Sequence, residues 1–367
     1  MYTELLMGAL VAIASPQEPE RQVETGHVAI QIPAIEIPAL DFYMEGFEIE
    51  VPDVALFMSD VEMAQEAIDM EFPHIVIPAI HIDLEDWEWE GWDRHERSDY
   101  QEIQTDTTFA VNPNATLAVR NHAGTVVVGT WNRNEVRLQA RHSSEDRVKI
   151  FQSEDAVKVK SETRHGLPDE VEYEITVPAS MAVDLWGFAT DISVDGVRNG
   201  VRVETMEGDI DIRNSQGGLA LRSVEGDINV TSAQGRVEAN GVDSEIVLTD
   251  IQGDVFAESI DGDLRFERIQ SGSVEAKTVD GDVHYDGSIR DDGRYRLTTH
   301  DGDIVVSIPE GANVTVSVAT FEGGFEADFP VTLDKAEVSR KFSFVLGSGS
   351  GTLELHSFDG DIQMLRR

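Results

Sequence analysis

The 367-residue chain contains no cysteine. That excludes a disulfide framework and any thiolate metal site, and it removes the residue through which a bacterial lipoprotein would be anchored. Basic side chains are scarce: 28 Lys and Arg stand against 70 Asp and Glu, for a formal net charge of −42. Such a field repels nucleic acid and anionic headgroups and attracts cations and basic partners, so nucleic acid is excluded as a partner. The apolar run LLMGALVAIA at 5–14 is too short to span a bilayer, and no transmembrane anchor is predicted. It has the length of a signal-peptide core and ends in the small residues Ala12, Ala14 and Ser15 before Pro16. The preceding MYTE, however, lacks the usual basic n-region. Residues 1–15 are read as a signal peptide with an atypical start, which predicts an extracytoplasmic protein. No Walker loop, HExxH or Ser-His-Asp order occurs, so no enzyme class is indicated.

What the chain does have is a repeat. Val183, Ile192, Val201, Ile210, Leu219, Ile228, Val237, Ile246, Val255 and Leu264 stand nine residues apart, followed by Val274 and Val283. Most have an apolar partner two positions on, for example Leu185, Val203 and Leu221, which is the period of a strand. The turns alternate between two kinds. One kind reads MEGD (206–209), VEGD (224–227), VDSE (242–245), IDGD (260–263) and VDGD (279–282). The other carries Gln216, Gln234, Gln252 and Gln270, spaced 18 apart. Two corners imply an 18-residue coil of two strands, stacked on its neighbours. The predicted fold is therefore all-β, an elongated β-solenoid of the β-helix type. An antiparallel meander shares the period but needs a second sheet to cover its buried face.

The organisation around this repeat is read as follows. Residues 16–104 form an acidic, Ile-Pro-rich, partly ordered extension with 23 acidic and 3 basic side chains. Proline confines its IP and VP passages to edge or extended strands. Ser59 to Met70 reads as a helix, with Ser59 and Glu62 as a capping box and Phe57, Val61, Ala64 and Ile68 on one face. Similar IPAI passages at 32–35 and 77–80 hint at a duplication. Trp87, Trp89 and Trp92 suit either a sugar-stacking platform or an anchor on their own domain, and His74, His81 and His95 match no defined zinc spacing. Residues 105–182 are an irregular β lead-in and cap, 183–290 the regular solenoid, and 291–367 wider terminal coils with a cap.

Certain passages carry a family resemblance. TTFAVNPNATLAVRNHAGTVVVGTW (107–131), VPASMAVDLWGFATDISVDGV (177–197), the serial GDI turns and LELHSFDGDIQMLRR (353–367) resemble a bacterial family of adhesin-like β-strand-repeat proteins. That family is a domain of unknown function, described as adhesins or polymer-forming envelope proteins. The resemblance covers about 105–367 and implies a cell-envelope scaffold or adhesin-like surface protein of a bacterium: periplasmic, surface-bound or secreted. Self-association or envelope components are the implied partners. A polysaccharide-active β-helix enzyme and a filament-forming envelope protein are the alternatives. The first would show a cleft lined with paired acids and basic subsites.

The acidic turns are the candidate site. Stacked in register, Asp209, Asp227, Asp261, Asp263, Asp280, Asp282, Asp301 and Asp303 form columns of hard oxygen ligands suited to calcium. A structural role competes with that reading, because glycine supplies positive φ at a corner and Asp bonds its own turn. No catalytic residue and no cofactor other than calcium is predicted.

Overall fold

The computed structural model describes residues 101–164, 166–332 and 341–367, with the backbone of 43–44 and 47–48. The chain divides into two units, 1–76 and 77–367. Of the first, the described part is a short antiparallel pair, β1 (Tyr43–Met44) and β2 (Phe47–Glu48). The expected signal peptide, the helix at 59–70 and the Trp and His clusters lie outside the described residues.

Among its described residues the second unit is all β. Its regular part alternates between two walls. One wall holds β10 (Val201–Glu207), β12 (Leu219–Glu225), β14 (Val237–Asn240), β16 (Val255–Glu258), β18 (Ser273–Lys277) and β20 (Arg294–Asp301). The other holds β11 (Ile210–Arg213), β13 (Ile228–Gln234), β15 (Ile246–Gln252), β17 (Leu264–Ile269), β19 (Val283–Gly287) and β21 (Ile304–Ile308). Pairing is parallel throughout these strands, with Val201 opposite Leu219, Leu219 opposite Val237, and Ile228 opposite Ile246. Parallel pairing removes the meander alternative and leaves a solenoid-like fold.

Alternation explains the core. In each strand the first two inward residues are apolar and buried, as in the burial of Val201, Val203, Leu219, Leu221, Ile228 and Val230. Each such side chain contributes roughly 1.5–3 kcal/mol on burial. The coil lengthens where the core must take tyrosine: Val255 pairs Val274, and Val274 pairs Tyr295, steps longer than those before them. The buried rings of Phe266, Tyr285 and Tyr295 lie 6.5 and 5.9 Å apart in sequence. Tyr295 Oη donates to Ser271 O at 2.7 Å and Tyr285 Oη to Ser288 O at 3.0 Å, so the hydroxyls satisfied in this way are brought into the core without loss.

Both ends depart from chain order. At the start, β4 (Thr116–Trp131) and β9 (Ala182–Asp195) are long strands that each run along both walls. Between them in sequence come β5 (Glu135–Ser143), β6 (Arg147–Gln152), β7 (Ala156–Glu162) and β8 (Val171–Pro178). In space, β4 lies between β7 and β8 on one side and β9 on the other. Antiparallel strands close this end: β6 on β7, and β5 on β8, with β3 (Glu102–Ala110) outermost.

The other end repeats the device. β25 (Gly351–Asp359) and β26 (Ile362–Arg366) are last in sequence. They pair in parallel with β20 and β21 on one side, and with β22 (Val314–Glu322) and β23 (Phe325–Ala327) on the other. Strand β24 (Lys341–Leu346) closes β22 as an antiparallel edge. Among the described residues no helix is long and apolar enough to cross a membrane.

Candidate functional site

The acidic corner joins the two walls, and its local sequence assigns one task to each position. The motif is Ser or Thr, an outward residue, an acid, glycine and Asp: TMEGD at 205–209, SVEGD at 223–227, SIDGD at 259–263, TVDGD at 278–282, THDGD at 299–303 and SFDGD at 357–361.

The first position is buried. Ser223, Ser259, Thr278, Thr299 and Ser357 are at most 4% exposed. Ser259 Oγ donates to Ser244 O at 3.0 Å, Thr278 Oγ1 to Gly262 O at 3.0 Å, Thr299 Oγ1 to Gly281 O at 2.9 Å and Ser357 Oγ to Gly302 O at 3.0 Å. Each hydroxyl thus reaches the corner carbonyl of the coil before it and satisfies a buried acceptor.

The second position points out of the wall. Register places Phe188, Met206, Val224, Val242, Ile260, Val279, His300 and Phe358 at equivalent places, all half-buried. The rings stack at both ends of this line: His122 on Phe188 at 5.3 Å, His300 on Phe358 at 4.7 Å, and Phe358 on Phe321 at 4.8 Å.

The third position is an outer rail. Glu207, Glu225, Asp243, Asp261, Asp280, Asp301, Asp359 and Glu322 are paired coil to coil through their backbones. All are exposed, and among the described residues none has an ion pair.

The glycine is needed twice over. Gly226 has φ 126°, and a Cβ there would overlap the carbonyl oxygen of Gly208. The same overlap recurs for Gly281 on Gly262 and for Gly302 on Gly281.

The fifth position forms an inner ladder. Asp191 Oδ1 accepts the amide of Asp209 at 3.0 Å, Asp209 that of Asp227 at 2.9 Å, and Asp227 that of Glu245 at 3.1 Å. Further on, Asp263 accepts from Asp282 at 2.8 Å, Asp282 from Asp303 at 2.8 Å and Asp303 from Asp361 at 2.7 Å. The ladder is interrupted at Glu245, whose longer side chain meets Arg265 Nη1 at 3.3 Å.

The predicted calcium residues therefore fall on two different lines. Asp261, Asp280 and Asp301 belong to the outer rail. Asp209, Asp227, Asp263, Asp282 and Asp303 belong to the inner ladder, where one carboxylate oxygen is already used by an amide. Among the described residues no group of three or more His, Asp or Glu is arranged to hold a metal ion. The buried Ser/Thr line and the outward apolar line were missed in reading the sequence. Both were visible there as residues three and two positions before each corner glycine.

The glutamine corner is built differently. Gln216 pairs Gln234 and Gln252 pairs Gln270 through the backbone, with the side chains exposed. Next to it, Asn214, Ser232, Asp250 and Arg268 take positive φ of 51°, 62°, 58° and 54°. Beside this corner lies an open groove of 820 Å³, lined in part by Asp250, Asp254, Arg268, Arg290 and Arg367. Arg268 bonds Asp250 through Nε at 2.8 Å and Nη2 at 2.9 Å, and this hydrogen bonding holds the Asp250 carboxyl below the usual carboxylate range. An acid kept ionised cannot serve as the proton donor of glycoside cleavage. Burial pushes the carboxyl of Glu258 up, but Glu258 lies on the other wall, in β16.

Residues 235–365 match the model of the family described as Toastrack DUF4097. No curated protein matches the chain. Among solved structures, a candidate adhesin from Bacteroides fragilis is similar at 12% identity and TM-score 0.38, over 72% of this chain and 97% of that one. One from Parabacteroides distasonis has 7% identity and TM-score 0.31, over 73% and 98%. A candidate cell adhesion protein from Clostridium sporogenes has 10% identity and TM-score 0.20, over 73% and 100%. The chain resembles the adhesin-like β-strand-repeat family of unknown function, and residues 235–365 carry its Toastrack match.

Proposed function

We propose that the protein is an exported, non-enzymatic scaffold or adhesin-like protein of the bacterial cell envelope, with the 18-residue, two-strand coil as its building unit. The observation that carries this reading is the acidic corner. Its buried hydroxyls, its glycines and its inner carboxylates are all engaged in joining one coil to the next. Groups spent on stacking coils build a long, even surface rather than a reaction centre. Among the described residues the corner turns between β10 and β19 are short, and none carries the long loop insertion that would build a deep cleft. The family match over 235–365 and the kind of protein named in the similar structures agree with this reading.

Export and surface display belong to the same proposal. Fractionation of cells expressing the full chain, with sequencing of the mature N-terminus, tests it. Recovery in the envelope or medium with cleavage near residue 15 is expected. Recovery in the cytoplasm with Met1 intact would defeat it.

Divalent cations enter the proposal at the outer rail alone. Its carboxylates carry no ion pair among the described residues and stand one per coil, so calcium would relieve their repulsion by bridging neighbouring coils. Among the described residues, the groove beside Arg268 is a feature that favours a polysaccharide-active enzyme. Turnover of acidic or neutral polysaccharides that is lost in Asp254→Asn would establish that alternative.

A further inference from the structure

The layer occupied by β25 and β26 belongs, by chain order, to other strands. A solenoid laid down in sequence would place β22 and β23 directly on β20 and β21. Instead Tyr295 pairs Leu353, which pairs Val316, and Ile304 pairs Ile362, which pairs Phe325. The last segment of the chain thus sits between two coils that precede it. It is gripped from both sides: Thr352 N donates to Gly293 O and Gly351 N to Asn313 O, each at 2.9 Å. At the corner, Gly302 N donates to Asp359 O and Gly360 N to Glu322 O, again at 2.9 Å. Asp361 Oδ1 accepts the amide of Gly324 at 2.7 Å, and Ser357 Oγ donates to Gly302 O at 3.0 Å. Leu353, Leu355, Ile362 and Met364 are fully buried.

We infer that this layer is a binding slot for the segment 351–366, and that a second copy of the chain can fill it by exchanging that segment. Three observations point there. Every contact just named is made by the segment with strands or corner turns of the body, so a segment donated by another copy makes the same contacts. The slot's two walls, β20/β21 and β22/β23, both precede the segment, so they can be in place while the filler is still free. The connection from β24 is the tight turn Gly347–Ser350, in which Gly347 and Gly349 have φ of 59° and 70°. A hinge this short leaves little slack between β24 and the segment, and short hinges favour exchange. Only the effective concentration of the tethered segment, on the order of mM, favours the closed chain. The opposite end shows the same device, with β4 held between β7/β8 and β9. The inference stands on strand register and holds whether or not the protein is an adhesin.

The absence of native cysteine makes the test clean. Thr298 and His356 are opposite one another across β20 and β25, and both side chains point out of the wall. One chain carrying both Thr298→Cys and His356→Cys closes an internal disulfide and establishes the geometry. Chains carrying one substitution each are then unfolded together and refolded under oxidising conditions, at roughly the mM effective concentration. Exchange is expected to yield covalent dimer several-fold above a control mixture of Arg222→Cys and His356→Cys, whose positions are coils apart. Thr315→Cys with Thr352→Cys reads the slot's other side in the same way. Adding Gly349→Pro removes both the positive φ and the amide bond to Leu346 O at 3.1 Å, so the closed turn fails and the dimer share should rise further. Dimer no higher than control while the internal disulfide forms would overturn the inference. So would a Gly349→Pro chain that is a folded monomer, or that loses its fold without dimerising.

Discussion

The two corners make opposite demands on the residue with unusual φ. At the acidic corner the space beside Gly226 is filled by a carbonyl, so a side chain meets both a steric and a conformational obstacle. Gly226→Ala should therefore cost about 3 kcal/mol in denaturant unfolding. At the glutamine corner Ser232 holds φ 62° as an exposed residue. Glycine adopts that conformation freely, and Ser232→Gly should raise stability by roughly 1 kcal/mol. A third substitution separates the two readings of the Asp columns. Asp227 uses Oδ1 to accept the Glu245 amide, and the carbonyl of asparagine can do the same. Asp227→Asn should thus stay within about 0.5 kcal/mol of the parent, whereas Asp227→Ala should lose about 1 kcal/mol. If Asp227 instead ligated calcium, Asn would erase a calcium-dependent rise in melting temperature as completely as Ala.

At the scale of elements, β25 also carries a titration that can be read. Burial lowers the pKa of His356, assisted by the nearby Arg296 and Lys341 and opposed by Glu354. Burial likewise lowers that of His122 in β4. In the unfolded chain these imidazoles protonate near pH 6.5. As pH falls below that value the unfolded state takes up protons that the folded state refuses, so stability declines. Melting temperature should drop as the solution is acidified from about pH 7 toward the lowered folded-state pKa, and His356→Gln should flatten part of that slope. An unchanged slope in the variant would show that other groups drive the loss. The elements themselves were largely legible. Strands such as β5, β6 and β7 follow from alternation and from the Asn, Ser and Pro that punctuate them. The parallel stacking of β10 to β19 follows from a step that repeats apolar residues in place. The order of layers at the two ends was not legible. Leu355 on Leu297 is a pairing across a long separation, and alternation suits β25 to any layer of the stack. The Ser/Thr line at the acidic corner was legible but hidden, because a small hydroxyl residue before an acidic turn looks like ordinary turn chemistry.

For the whole molecule the dominant electrostatic fact is a surplus of carboxylates, concentrated by stacking. Among the described residues most ion pairs are exposed, such as Arg213 with Asp211 and Arg268 with Asp250, while Arg120 with Asp184 is more buried. Exposed pairs contribute little, typically 0–1 kcal/mol each. The outer rail acts in the opposite direction, since it sets like charges one coil apart, at about 4.8 Å. Unit charges at such distances repel by about 1 kcal/mol in water, and the repulsion accumulates along the rail. Screening length falls from about 30 Å at 0.01 M salt to about 3 Å at 1 M, so salt weakens the repulsion between coils more than it weakens contacts within a salt bridge. Thermal melts in rising NaCl should therefore show increasing stability, the reverse of a fold held together by surface ion pairs. Calcium at matched ionic strength should add a further rise if it bridges the rail, and that excess should disappear when Asp261, Asp280 and Asp301 are replaced together by Asn. The inner ladder is intact in that variant, so its melt in NaCl alone should lie at or above the parent's. A triple variant that melts lower, with calcium giving no excess in the parent, would mean that the rail carboxylates hold the coils together by contacts of their own.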